Sequence, residues 1–140
     1  MQLTLTLLGT GTSSGVPMIG CDCRVCRSSD PRDRRTRPAA MVEWQDRHGR
    51  DRRVLIDTGP DLRMQMLRHR VERIDGVMYT HNHADHVFGL DDLRRFNAVM
   101  KRPVDIYAEQ RVIEWLQQTF SYVFNREKNI NTTFVADLVP

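Results

Sequence analysis

The stretch His81-Asn82-His83-Ala84-Asp85-His86 places three of the chain's five histidines and one aspartate within six positions. In an extended segment side chains alternate faces with a period of two, so His81 and His83 project the same way and could share one ion. Asp85 and His86 follow as the chain turns into a helix, and they point to a neighbouring spot. Imidazole suits zinc, iron, copper and nickel, and a carboxylate adds a hard oxygen donor. Two ions about 3.5–4 Å apart would suit a hydrolase that clamps attacking and leaving oxygens together. The bland alternative makes Asp85 a helix cap and the histidines ordinary loop residues. The joint spacing between a strand and a helix speaks against it, because loops at strand ends are where a rigid scaffold holds catalytic groups.

A second chemical feature is Cys21-Asp22-Cys23-Arg24-Val25-Cys26. Three thiols in a turn can converge on one tetrahedral zinc, which then needs a fourth ligand. Neighbouring arginines favour the thiolate forms. His48 and His69 are the only free histidines, and neither lies at a telling distance. A disulfide plus a free thiol remains open on spacing alone. Asp57, at the end of another strand, either turns the chain or accepts hydrogen bonds that orient ligating histidines. The run Gly9-Thr10-Gly11-Thr12-Ser13-Ser14-Gly15 is not a nucleotide loop. Ser14 takes the third glycine position, no lysine follows, and Pro17 breaks the expected helix.

The elements that must position these groups are legible from periodicity. Leu3, Leu5 and Leu7 alternate with Thr4 and Thr6, which predicts a strand with one buried face. Residues 27–38 read as a polar, arginine-rich loop. Residues 39–45 and 53–57 read as a hairpin around the turn at 46–52. A helix follows from Asp61 to His69, with Met64, Leu67 and Arg68 at helical spacing. A short strand spans 74–80, and a helix runs from Asp85 to about Met100 with Leu90, Leu93, Phe96 and Asn97 on one face. Strand 104–108 precedes a helix over 109–124 whose buried stripe is Val112, Ile113, Leu116, Phe120 and Val123. Residues 132–136 could close the chain as a strand. Strands alternating with helices indicate the α/β or α+β class.

The 140 residues suggest one domain or less, with 40% hydrophobic residues, enough for a core. The net charge of +3, from 21 Lys+Arg and 18 Asp+Glu, does not imply nucleic acid by itself. Arginines crowd 24–37 and 47–53, either as solvated surface or as a rim attracting phosphate. No apolar run is long enough to span a bilayer, and no signal-peptide pattern is present. With an odd count of clustered cysteines, these features predict a cytoplasmic protein with reduced thiols.

The segment from Thr80 through His86 resembles the main metal motif of the metallo-β-lactamase superfamily. The resemblance implies that His81 and His83 ligate one ion and Asp85 and His86 a second, both zinc or manganese, with Asp57 supporting the centre by hydrogen bonds. It implies the N-terminal half of an αββα sandwich, because the family's further histidines and bridging aspartate have no counterpart after His86. Residues 1–140 would then be a single, incomplete domain. One sheet face would await the missing half or a homo-oligomer partner, and the chain alone would be inactive. The glycine-rich start, the cysteine triplet at 21–26 and Gly89-Leu90-Asp91-Asp92-Leu93-Arg94 are similar to the phosphodiesterases of phosphonate breakdown, which open a phosphoribosyl cyclic phosphate. That similarity implies a structural zinc on Cys21, Cys23 and Cys26, and hydrolysis of a small phosphodiester by a metal-activated water. The alternatives are an RNA-processing nuclease of the same superfamily, lacking here a visible RNA-binding arm, and a metal-binding module without turnover.

Overall fold

The structure is a computed structural model that describes residues 2–125, 127, 129 and 134–140. Six strands form one mixed sheet in simple sequence order. Strands β1 (Leu3–Gly9), β2 (Ala39–Gln45) and β3 (Asp51–Ile56) are antiparallel neighbours. From β3 onward the ladder is parallel through β4 (Gly76–Met78), β5 (Val104–Tyr107) and β6 (Leu138–Val139).

Parallel neighbours need crossovers, and helices supply them. Helix α1 (Leu62–His69) links β3 to β4. Helix α2 (Ala84–Val87), a 3-10 turn at Leu90–Leu93 and α3 (Arg94–Met100) link β4 to β5. Helices α4 (Gln110–Thr119) and α5 (Ser121–Phe124) follow β5. Right-handed crossovers that all advance in one direction put every helix on the same sheet face. The core lies there, where Leu55, Val77 and Ile106 of the central strands and Leu62, Leu90, Leu93 and Leu116 of the helical layer are almost fully buried.

The opposite face is apolar and uncovered. Register aligns Leu3 with Trp44, Leu5 with Val42, and Leu7 with Ala40, and continues through Val54, Ile56 and Met78 to Tyr107. Leu7 is 61% exposed, Leu3 and Leu5 are each 56% exposed and Met78, Tyr107 and Val139 are exposed as well, whereas Val42, Trp44, Val54 and Ile56 in the middle of the face are half-buried. The expected buried face of β1 is therefore corrected. Alternation identified the apolar side, but the helices cover the other one. Full burial of a large apolar side chain stabilises by about 1.5–3 kcal/mol. Covering half a dozen half-exposed ones would contribute several kcal/mol, comparable with the roughly 5–15 kcal/mol net stability of a domain.

Three other expectations shift. The single helix over 85–100 is broken because the Gly89 N–H donates to the Thr58 carbonyl at 2.7 Å instead of continuing the helical ladder. On α1, Leu62, Gln65 and Met66 face inward while Met64 and Leu67 are exposed, because the Gln65 amide is drawn in to donate to Thr36 Oγ1 and the Arg37 carbonyl, each at 3.0 Å. Of the anticipated last strand, Thr132 and Thr133 lie outside the described residues, and pairing occurs at Leu138–Val139 instead. Buried Asn97 sets that register, since its amide holds both the N–H and the carbonyl of Asp137 at 2.9 Å.

Candidate metal centre

The histidine stretch sits where β4 ends, beside the end of β3. Asp57, the first residue after β3, is 4% exposed and adopts φ 64. That left-handed backbone is uncommon outside glycine, and aspartate is among the residues that tolerate it best. It turns the carboxylate toward the next strand end. Oδ1 accepts the Thr80 N–H and Oδ2 accepts the Thr80 hydroxyl, both at 2.8 Å. Oδ2 also lies 2.8 Å from His86 Nδ1. With Nδ1–H donated to a carboxylate, His86 presents the lone pair of Nε2 outward, the usual tautomer of a metal-ligating histidine.

The outward nitrogen has a partner, for His86 Nε2 lies 3.3 Å from Asp85 Oδ2. Two donors with bonds of about 2.0–2.1 Å to one tetrahedral ion stand about 3.4 Å apart, so this pair fits a shared cation. His81 bridges the group. Its ring centroid is 4.6 Å from that of His83 and 4.1 Å from that of His86, and its Nδ1 is 3.0 Å from Thr80 Oγ1. His81 thus touches both other rings. The only three candidate ligands among the described residues whose donor atoms all lie within 4.8 Å of one another are, however, the cysteines.

The backbone beneath the stretch is clasped to the loop after β3. The Thr58 N–H donates to the His86 carbonyl at 2.7 Å, and Thr58 accepts from Gly89 in return. A Cβ on Gly59 would stand 2.1 Å from the Asp85 carbonyl oxygen, and one on Gly89 would stand 2.1 Å from that of Gly59. Only glycine permits such backbone contact. Thr58 Oγ1 also meets the Tyr79 hydroxyl at 2.8 Å, and burial pushes that phenol's pKa well above its ordinary value. Thr58, Thr80, Gly59 and Gly89 thus support the site, a role the sequence assigned to none of them, although Thr80 and Gly89 stand in the two stretches that carry the family resemblance. For Thr58 and Gly59 the available signal was the Asp57-Thr58-Gly59 run at a strand end.

The cysteines lie on the long loop between β1 and β2, all three thiols are free in this structure, and their sulfurs lie within 4.8 Å of one another. The backbone N–H of Cys26 donates to Cys23 Sγ at 3.4 Å and, helped by the neighbouring thiols, draws the Cys23 pKa down to about 7. A metal-ready thiolate is thereby available near neutrality. Neither His48 nor His69 joins the cluster.

Many of the crowded arginines are already paired with acids. Asp46 pairs with both Arg50 and Arg52, Asp75 pairs with Arg52 and Arg102, and Glu43 pairs with Arg53. Desolvation opposes the charge on Asp46, but the N–H groups of Arg50 and His48 and the two guanidinium groups hold its pKa down to about 2. The cleft of about 960 Å³ around these residues lies at the opposite end of the strands from the histidines. Arg37 pairs with Asp61, Arg27 with Asp22 and Arg32 with Asp30. Among the described residues Arg24, Arg34 and Arg35 enter no ion pair.

Comparison with known proteins places these features in context. Residues 52–137 match the family described as the Beta-lactamase superfamily domain. A crystal structure of a new diphosphatase from the PhnP family superposes with a TM-score of 0.79 at 50% identity, covering 89% of this chain and 48% of that one. An octanoyltransferase of Porphyromonas gingivalis is 45% identical over 120 residues, covering 86% of this chain and 23% of that protein. The coenzyme PQQ synthesis protein B of Rhodopseudomonas palustris is 33% identical over 130 residues, covering 83% of this chain and 39% of that protein. The chain thus spans about half the length, or less, of the proteins it matches.

Proposed function

The chain belongs to the beta-lactamase superfamily, and we propose that it carries part of the metal face of a hydrolase acting on small phosphate esters. The observation that carries this reading is the fixed orientation of His86. Asp57 holds Nδ1, which leaves Nε2 facing Asp85 Oδ2 at 3.3 Å. In this reading His81 and His83 hold one zinc or manganese ion, and Asp85 and His86 a second. Such ions, when bound, supply Lewis acidity toward water and phosphoryl oxygens. The protein's own part is positioning. Asp57 keeps the Nδ1 proton of His86, Thr80 ties the turn between strand and site, and the glycine contacts hold Asp85 over the Asp57 loop. Cys21, Cys23 and Cys26 hold a separate structural zinc with a fourth donor from elsewhere.

In the same reading residues 1–140 are a single, incomplete domain. The uncovered sheet face receives a second sheet in the whole protein, from the remaining half or from a second copy. The preferred substrate is a small, cyclic phosphodiester. The 50% identical diphosphatase favours a second reading, in which the scissile bond is a phosphoanhydride. The octanoyltransferase extends so far beyond the matched region that acyl transfer is not proposed here.

The test is to assay the whole protein, loaded with zinc or manganese, on a cyclic ribose phosphate, a nucleoside diphosphate and a tRNA precursor. Hydrolysis of the cyclic ester with intact RNA is expected. Turnover of the diphosphate alone selects the second reading. Cleavage of RNA, or no turnover after confirmed metal uptake, overturns both. The 140-residue chain by itself should show no turnover.

A further inference from the structure

A groove of about 740 Å³ runs between α1 and α3 on the outer helical surface, remote from the uncovered sheet face. Its floor is apolar, made by Leu62, Met66, Val71 and Phe96. Its lips are also apolar, with Leu67 62% exposed and Val99 49% exposed. Neither residue is needed to close the core, and scattered single exposures need no explanation, but two facing across a concave apolar floor form a patch.

Charge then narrows the occupant. Arg63 and Arg70 stand on the α1 side, Arg94 and Arg95 on the α3 side, and only Glu72 and Asp92 oppose them. Arg94 pairs with Asp91 at 3.1 Å. Among the described residues Arg63, Arg70 and Arg95 enter no ion pair or side-chain hydrogen bond. The cleft at the other end of the sheet differs in this respect, because its Arg52 and Arg53 are matched by Asp46, Asp75 and Glu43. Free guanidinium groups beside apolar surface suit carboxylates presented next to aliphatic side chains.

We propose that this groove docks an acidic amphipathic helix of a partner protein, with aliphatic residues on the floor and glutamates or aspartates against Arg63, Arg70 and Arg95. The shape favours a peptide over a small molecule, because a drug-sized ligand is mostly enclosed by its pocket, whereas seven of the twelve residues lining this groove are exposed. It also favours a peptide over a bilayer, since a concave trough between two helices cannot lie flat on a lipid surface. Helix-in-groove recognition uses this combination of aliphatic anchors at i, i+3, i+4 and i+7. The proposal does not depend on the metal reading.

The probe is a fluorescein-labelled peptide of about sixteen residues, with leucines at that spacing and glutamates elsewhere. Its binding to the 140-residue chain is followed by anisotropy. Binding tighter than about 100 µM is expected, weakening as salt rises. The paired reversal Arg63→Glu with Arg95→Glu should weaken it at least about tenfold and should create binding of the same peptide carrying lysines in place of glutamates. Val99→Asp should weaken the glutamate peptide as well. Both changes are at exposed positions, and circular dichroism verifies the fold. Three outcomes of the peptide titration overturn the proposal. One is no binding, another is equal binding of the lysine peptide by the unmodified chain, and the third is binding that survives both changes, which would locate the peptide on the uncovered sheet. Co-sedimentation with phosphatidylglycerol vesicles that is lost in the reversal variant would make the occupant a membrane and overturn it too.

Discussion

The two candidate metal regions are held in opposite ways. The histidine stretch is supported from below, by a buried carboxylate, a buried threonine and two glycines in backbone contact. The cysteine triplet stands on a loop with little beneath it, and its thiols converge through local turns and backbone donors. One region borrows its geometry from the sheet, while the other makes its own. Damage to the first should therefore spread into the fold, and damage to the second should remain local.

The largest effect should come from Gly59→Val. Its new side chain would collide with the Asp85 carbonyl, and thermal unfolding should reveal a loss of about 3 kcal/mol or more. A loss under about 1 kcal/mol would mean that the clasp yields, and the contrast would weaken. Next is Asp57→Ala, which strips three donors of their acceptor. A cost of about 2–4 kcal/mol is expected. Elemental analysis should find metal lost from the histidines and retained by the cysteines. Cys23→Ser should do the reverse, removing the thiol-bound ion while changing stability of the metal-free chain by less than about 0.5 kcal/mol. If Cys23→Ser also emptied the histidine site, the two regions would be coupled. The smallest effect belongs to His48→Ala and His69→Ala, for which metal content should not change. A loss of zinc in either would supply the triplet's fourth ligand.

Much of the scaffold followed from local pattern. β2 lies at residues 39–45 as its alternation indicates, and the α4 stripe of Val112, Ile113 and Leu116 is buried. The placement of the histidines after a strand and before a helix was also legible, since it depends only on neighbouring residues. Long-range facts were not. The exposure of Leu3, Leu5 and Leu7 depends on which face the crossovers cover, and a strand's own residues do not encode that. The inward turn of Gln65 depends on a hydroxyl and a carbonyl nearly thirty residues away. The glycine contacts were hidden for the same reason, because Gly59 is short of side chain on behalf of Asp85 and Gly89 on behalf of Gly59. Asp57 was recognisable as a support, but its left-handed backbone was not.

The uncovered sheet makes the molecule a reporter of whatever comes to cover it. A dye that brightens against accessible apolar surface, as anilinonaphthalene sulfonate does, should glow on the isolated chain without any unfolding. The signal should dim in proportion as the proposed second layer settles over Leu3, Leu5 and Tyr107, so that fluorescence alone would test that proposal.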